Sequence, residues 1–264
     1  MKPAFLLIII TALLFSCSPY QKVLKSDDVG LKFHVADSLY NVGKYRKALK
    51  LMEQIVPEYR GKPQGEKLMF LYSDAFYQLG DHHLASYQFD RFATSYPSSI
   101  KAEEAAFKSA KSYYYLSPRY SLEQEDTYTA LEKLQSFVTQ YPDSEFMAEA
   151  NQLVQELSEK LEEKSFNIAK QYYIISDYKA AITSFGNFLL DYPGSKYREE
   201  AYYYRFLAAY DLAIRSIPGL VEERLLNSKE YYQTFKRYYP ESERHQESEK
   251  ILQDIEKRLE NKQV

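Results

Sequence analysis

Residues 176–201 read SDYKAAITSFGNFLLDYPGSKYREEA, and this stretch contains the signals that decide the fold. Ala181, Phe185 and Phe188 are separated by four and then three residues, which places them on one face of an α-helix. Tyr192-Pro193 then ends that helix, because the residue before a proline is steered away from helical geometry and proline has no backbone N–H. The stretch therefore predicts a helix with one apolar face, a turn, and the start of a second helix.

The same arrangement occurs four times along the chain. The Tyr-Pro pairs, each with Ser two residues after the proline, lie at 96–97, 141–142, 192–193 and 239–240. The apolar ladders before them are Ala85/Phe89/Phe92, Ala130/Leu134/Phe137, Ala181/Phe185/Phe188 and Ser228/Tyr232/Phe235. The small residues eight positions after each proline are Ala105, Ala150, Ala201 and Ser248. Such repetition predicts stacked helix pairs that bury a continuous core, and the serines are predicted to cap the following helices.

Turns inside the repeats share the pattern Gly/Ser-x-Tyr/His-x-x-Ala at residues 43–48, 80–85 and 176–181. This pattern resembles the inter-helix turn of tetratricopeptide repeats. With a first copy before Pro57, we expect an all-α, right-handed solenoid of about five tetratricopeptide-like helix-turn-helix repeats over residues 31–264. Its last helix should be a capping helix. The Tyr-Pro spacing of 45 to 51 residues exceeds the 34 of a standard unit, which predicts longer helices and loops.

The N-terminus has the features of an export signal. Lys2 precedes 12 uncharged apolar residues, Ala4–Phe15, which are too few to cross a bilayer but suit a secretory signal. Residues 14–17, Leu-Phe-Ser-Cys, resemble the lipobox of bacterial lipoproteins. The resemblance implies a signal peptide over residues 1–16, acylation of Cys17, and a lipid anchor and tether over residues 17–30.

Two further observations bear on the cysteine. Cys17 is the only cysteine in the chain, so it cannot form an internal disulfide. The alternative is an ordinary signal-peptide cysteine without lipid. Ser18 follows it, and by resemblance to the sorting pattern of Gram-negative lipoproteins this residue favours the outer membrane.

Catalytic and metal-binding patterns are scarce. The four histidines are His34, His82, His83 and His245, and the adjacent pair would point in different directions on a helix. The chain has no glycine-rich phosphate loop and no Gly-x-Ser-x-Gly elbow. We therefore expect no enzymatic activity, no cofactor and no metal. Residues 17–264 carry a formal charge of −4, because Lys2 is the only charged residue before them, and nothing in that balance attracts nucleic acid, whose binders usually carry basic stripes.

Tyrosine is unusually abundant, with 27 copies against no tryptophan. Runs of tyrosine occur at 113–115, 172–173, 202–204, 231–232 and 238–239. Because consecutive helical residues point about 100° apart, roughly half of each run should lie outside the core. Two interpretations stay open: the rings fill the space between helices, or they form a recognition surface for polypeptide.

One segment interrupts the repeat rhythm, SPRYSLEQEDT at residues 117–127. Together with the lipobox and the recurring Tyr-Pro-x-Ser, it resembles the BamD family of outer-membrane β-barrel assembly lipoproteins. That family has a Ser-Pro segment, an acidic residue with Gln, and then Thr. Glu123-Gln124 takes the acidic-Gln place here, with Asp126-Thr127 two residues later, a small departure. The opening CSPYQKVLKS at residues 17–26 is also similar to one branch of the family.

The resemblance implies a location and partners. The protein would be lipid-anchored on the periplasmic face of the outer membrane. Its C-terminal repeats would bind the periplasmic domains of the barrel-forming assembly subunit, and its N-terminal repeats would bind unfolded outer-membrane protein clients. No contact residue is carried over from the family, so partner-binding residues stay undefined.

Two other functions remain open. One is a lipid-anchored repeat adaptor that organises cell-wall or envelope enzymes, which would explain the solenoid and Cys17 but not residues 117–127. The other is a carbohydrate-binding or hydrolytic lipoprotein. Sugar-binding sites favour tryptophan platforms, and this chain has no tryptophan.

Overall fold

The computed structural model describes residues 19–261, and within this range the regular structure is entirely helical. The helices are α1 (Pro19–Leu24), α2 (Val29–Asn41), α3 (Tyr45–Ile55), α4 (Gly65–Gln78), α5 (His82–Ser95), α6 (Ala102–Leu116), α7 (Glu125–Gln140), α8 (Met147–Ile174), α9 (Tyr178–Asp191), α10 (Arg198–Ile214), α11 (Pro218–Tyr238) and α12 (His245–Glu260). A short 3₁₀ helix, Val56–Tyr59, follows α3. The predicted all-α class is confirmed.

The helices form five successive pairs, α2–α3, α4–α5, α6–α7, α8–α9 and α10–α11, and α12 follows the last pair. They divide into two compact units, one of residues up to 118 with 124–154, and one of residues 119–123 with those from 155 onward. The division falls within α8. Most helices that follow one another within a unit pack together, as a tetratricopeptide-like repeat requires, and Phe166 on α8 contacts Phe185 on α9. The right-handed sense stays a prediction.

The apolar ladders form the core, as predicted. All 12 ladder residues are buried in the two units, and the four small residues after the prolines are completely inaccessible. Phe89 and Phe92 belong to the core of the first unit, and Phe185 and Phe188 to that of the second. The four-and-three spacing thus identifies the buried face of each second helix correctly.

The Tyr-Pro pairs end helices at the expected places. Helices α5, α7, α9 and α11 end at or just before the tyrosine of each pair. The backbone N–H of that tyrosine donates to the carbonyl of the phenylalanine four residues earlier, at 2.9–3.0 Å in all four copies. No helical hydrogen bond can follow, because the next residue is proline.

The serines after these prolines have a different role from the predicted helix cap. Each helix begins three residues after its serine, since a turn intervenes, such as the one closed by the Ala102 N–H and the Ser99 carbonyl at 3.0 Å. The Ser99 hydroxyl instead accepts from the Lys101 N–H at 3.0 Å and donates to Glu66 at 2.6 Å. Ser242 likewise donates to Glu199 at 2.6 Å.

These serine–glutamate bonds join successive repeats. Glu66 and Glu199 lie in the first turns of α4 and α10, whereas their serines precede α6 and α12. Ser144 makes the same bond to Glu103 in the first unit. The prediction of an N-cap was therefore wrong, because the hydroxyl contacts the preceding repeat and not only its own turn.

The turns inside the repeats have the predicted tight geometry. Gly43, Gly80 and Ser176 have φ values of +72°, +75° and +65°, the left-handed conformation that often ends a helix. Asp81 and Asp177 then cap α5 and α9, and each accepts a backbone N–H three residues on at 3.2 Å. The shared sequence pattern thus corresponds to one shared helix-ending turn.

Part of the predicted tether is folded against the first unit. The Tyr20 hydroxyl donates to the Lys47 carbonyl at 3.1 Å, and Val23 and Leu24 pack against the core of this unit. Cys17 and the predicted signal peptide, residues 1–16, lie outside the described residues, so their assignment stays a prediction. None of the helices between residues 19 and 261 is long and apolar enough to cross a membrane.

Candidate functional site

Tyrosine hydroxyls connect the first helices of successive repeats. Tyr173 on α8 donates to Asp211 on α10 at 3.0 Å. Tyr210 on α10 donates to Asp254 on α12 at 2.7 Å. Two further bonds of this kind join Tyr40 to Asp74 in the first unit and Tyr203 to Glu247 in the second. These bonds fix the stacking of neighbouring repeats.

These contacts stabilise the protonated hydroxyl. Burial raises the pKa of Tyr210 to about 12, and the hydrogen bond to Asp254 adds to the effect. Burial, followed by the hydrogen bond to a carboxylate, also raises the pKa of Tyr40 and Tyr203 well above the usual range. Burial and then the charge of Asp211 raise the pKa of Tyr173.

The raised pKa values predict a loss of stability in alkali. A tyrosine whose pKa is higher in the folded protein than the value of about 10 in the unfolded chain adds to the free energy of unfolding below pH 10. This contribution is lost as the pH rises through the folded pKa. We therefore expect a lower urea midpoint at about pH 11 than at about pH 8. Tyr210→Phe should weaken this dependence. Equal midpoints at the two pH values, measured by circular dichroism, would contradict the role given to the tyrosines.

Asp74 is the most deeply buried carboxylate in the first unit, with 1% of its surface exposed. It accepts hydrogen bonds from Tyr40, from Lys108 at 2.5 Å and from Gln78 at 3.1 Å. Burial opposes the charge on Lys108, but its bonds to Asp74 and Glu104 raise the pKa of this amine overall. Each charge of the cluster has an opposite partner, which is typical of a structural ion pair.

The histidines are not assembled into a site. His82 stacks on Tyr115 with ring centroids 4.6 Å apart, and burial lowers the pKa of His82. His83 and His34 are exposed, and His245 contacts the Tyr239 carbonyl at 2.7 Å. Over residues 19–261, no group of three or more His, Cys, Asp or Glu has the arrangement of a metal site.

The tyrosine runs contain both buried and exposed side chains. Tyr202, Tyr203 and Tyr232 are buried and fill the space between helices. Tyr115 and Tyr238 have 48% and 52% of their surface exposed. Most other members of the runs are half-buried. Most of these tyrosine rings therefore fill the space between helices, and a smaller part of the aromatic surface is exposed.

The first unit has an apolar cavity of about 470 Å³, which we call the Ile100 cavity. Ile100 lies at the edge of this cavity with 93% of its surface exposed, and Phe70 and Leu71 line the cavity wall. Lys67 and Lys101 border it, and the Lys101 amine lies 5.2 Å from the centre of the Phe70 ring. Apolar walls with charged edges suit an extended polypeptide that carries apolar side chains.

The second unit has a larger and more polar cavity of about 810 Å³ beside the loop between α11 and α12, which we call the C-terminal cavity. The glutamates that line it are Glu199, Glu241, Glu243 and Glu247. Tyr238 lies at its wall and stacks on Tyr202, with ring centroids 5.3 Å apart. The Arg198 guanidinium lies 5.7 Å from the Tyr238 ring. Exposed tyrosine with arginine is the composition of energetically important interface residues.

A third surface of the second unit is a groove of about 470 Å³ along α8. Ile168 and Ile174 line it, with 44% and 69% of their surface exposed, and Tyr120 forms the opposite side. Lys164 donates to the Leu122 carbonyl at 2.5 Å and so holds the loop on α8. The sequence did not predict the groove, because the loop comes from a distant part of the chain. The available signal was the pair Ile174-Ile175, two apolar residues directly before a turn.

Three residues of the unusual segment at 117–127 form a polar network in the first unit: Ser117, Gln124 and Thr127. Gln124 and Thr127 are completely inaccessible, and the Thr127 hydroxyl contacts Gln124 at 2.8 Å and the Ser117 hydroxyl at 2.5 Å. The residues that carry the family resemblance therefore hold the start of α7 against the end of α6. Ser117, Gln124 and Thr127 thus have a structural position, whereas Glu123 of the same segment is exposed.

A comparison with models of protein families gives a match to this chain. The family model described as "YfiO: Outer membrane lipoprotein" matches residues 31–185 and 166–264. The two segments together extend from α2 to the end of the chain and include all five helix pairs. A search of curated proteins finds no match.

Proposed function

The chain belongs to the YfiO family of outer membrane lipoproteins, and on that premise we propose that it is a non-catalytic scaffold of the β-barrel assembly machinery, similar to BamD. Lipid on Cys17 anchors it to the periplasmic face of the outer membrane. It binds the barrel-forming subunit and incoming outer-membrane proteins and presents them for folding and insertion.

The family match across all five helix pairs is the observation that carries this proposal. The geometry supports it. Repeats joined by serine–glutamate and tyrosine–carboxylate bonds form preorganised surfaces, which lose little conformational freedom when they bind a partner. A scaffold needs such surfaces and no reactive group.

The barrel-forming subunit is assigned to the C-terminal cavity. This assignment has two grounds. The family resemblance implies that the C-terminal repeats bind the subunit, and the composition of the cavity suits a protein partner. Its glutamates offer ion pairs and hydrogen bonds to a basic partner, and Tyr238 offers an exposed aromatic anchor. Clients are assigned to the Ile100 cavity, whose apolar wall fits the side chains that later face lipid on the outside of a barrel.

The test is a double variant at the C-terminal cavity, Tyr238→Ala with Glu243→Lys. A hot-spot residue contributes about 2 kcal/mol or more, so recovery of the barrel-forming subunit from gently solubilised membranes should fall at least about tenfold. The measurement is co-purification through a C-terminal tag, with the amounts quantified by mass spectrometry.

The matched control is Tyr128→Ala with Glu132→Lys on α7. Tyr128 is 58% exposed and Glu132 is also exposed, so the same changes are made away from the C-terminal cavity residues. This control should retain the subunit. Recovery of cell-wall enzymes without the barrel-forming subunit would favour the envelope-adaptor alternative and reject the proposal.

A further inference from the structure

The folded position of α1 limits how far the first unit can lie from a lipid on Cys17. Pro19, the first residue of α1, follows Cys17 by two positions. Two extended residues span at most about 7 Å. Since Tyr20 and Val23 hold α1 on the first unit, a lipid at Cys17 would bring this part of the unit within about one Debye length, roughly 8 Å, of the membrane surface.

The region around α1 is basic, although the chain as a whole is acidic. Residues 19–56 contain seven lysines and arginines against four aspartates and glutamates, whereas the formal charge of the whole chain is −3. Five of these cations are exposed and lie on α1, directly after it, or on α3. We call them the basic surface: Lys22, Lys25, Arg46, Lys47 and Lys50.

These cations have a common location. Lys47 lies beside α1, with its amine 5.4 Å from the centre of the Tyr20 ring. Arg46 and Lys50 are four residues apart on α3 and therefore share its exposed face. Lys22 lies on α1 between Tyr20 and Val23, which pack inward, and is itself exposed.

None of the five cations makes an ion pair with a carboxylate in the described part of the chain. The acidic groups of the same segment are few. Asp28 caps α2 by accepting the Leu31 N–H at 2.8 Å, while Asp27 and Glu53 are exposed. The surface therefore keeps an excess of uncompensated positive charge.

We propose that the basic surface binds the anionic phosphate headgroups of the membrane to which the protein is anchored. This inference rests on the proposed lipid at Cys17, which places α1 at the membrane. Phosphate attracts lysine and arginine near a bilayer, and several such contacts add to a lipid anchor. Together they would orient the first helix pair on the membrane.

The test uses residues 17–264 with Cys17→Ser, so that no lipid contributes to binding. This protein should bind vesicles of phosphatidylethanolamine with phosphatidylglycerol at low salt, and should not bind phosphatidylcholine vesicles. Each basic residue near an anionic surface changes binding about fivefold. The variant Lys22→Gln/Lys47→Gln/Lys50→Gln should therefore bind roughly 100-fold more weakly in a flotation assay.

The matched control, Lys179→Gln/Lys250→Gln/Lys257→Gln, removes the same charge from exposed positions of the second unit. It should bind within about twofold of the parent protein, because these lysines are not part of the surface. Equal loss in both variants would show a response to net charge alone and overturn the inference. Absence of vesicle binding at low salt would also overturn the inference. If the protein instead formed a salt-sensitive dimer and bound no vesicles, the basic surface would be assigned to contact with a second copy of the chain.

The result is separable from the proposed function. The lipidated protein with the three substitutions on α1 and α3 should still co-purify with the barrel-forming subunit, because Tyr238 and Glu243 are unchanged. Lost vesicle binding with retained co-purification would confirm a separate membrane contact. Lost co-purification in this variant would contradict the separation of the two surfaces.

Discussion

Phe185→Ala lowers the free energy of unfolding by about 3–5 kcal/mol, the cost expected for removing a fully buried phenylalanine. Phe185 has no exposed surface, and its ring contacts Phe166 and Tyr204, with centroids 5.9 Å away in each case. The ring thus contacts the helices before and after its own. Its loss would leave a cavity where three helices meet, which close-packed neighbours fill only in part.

The measurement is urea unfolding followed by circular dichroism. The control on the same helix is Leu190→Ala, since Leu190 is 79% exposed. A substitution at such a position changes stability by about 0.5 kcal/mol or less. Similar losses for the two variants would show that the ladder does not form the core, and the repeat assignment would then be wrong.

Cys17→Ala removes the proposed lipid, and we expect the protein, once its leader is cleaved, to leave the membrane fraction almost completely after a high-salt wash. Each buried methylene of an acyl chain contributes about 0.8 kcal/mol, so several chains account for nearly all of the membrane affinity. High salt screens the remaining attraction of the basic surface. The measurement is the distribution of the protein between soluble and membrane fractions.

The control for Cys17→Ala concerns the signal peptide, because an uncleaved leader would itself hold the chain in a membrane. A second protein should join residues 18–264 to an ordinary, efficiently cleaved secretory signal. Release of this protein into the periplasm confirms the anchor. Retention after the high-salt wash would mean that lipid on Cys17 is not what holds the protein at the membrane.

The sequence predicted the fold well where the signal is local. The ladder Ala181, Phe185, Phe188 identifies a buried face because helical periodicity needs only the residues of one helix. The Tyr-Pro ends were correct for a similar reason, since the restriction acts between adjacent residues. The turns at Gly43, Gly80 and Ser176 share a short sequence pattern, and the Gly or Ser of that pattern has the same left-handed backbone conformation in all three.

The candidate surfaces were predicted only as regions. Nothing in the sequence singled out Ile100, and the run at 238–239 did not reveal which of its two tyrosines would be exposed, because exposure depends on which helices lie beside a residue. The α8 groove needs Tyr120 from a loop that precedes the helix by one repeat. Likewise, the packing of α1 on the first unit depends on a bond between Tyr20 and Lys47, 27 residues apart.

The sequence by itself thus determined the ladder helices, their buried faces and their ends at Tyr-Pro, since these depend on residues within about two turns of one another. The tertiary structure alone decided the partners of the polar side chains. Ser99 bonds Glu66 at a separation of 33 residues, and Tyr210 bonds Asp254 at 44. These separations vary with the length of each loop and the offset between stacked helices, so no fixed spacing in the sequence encodes them.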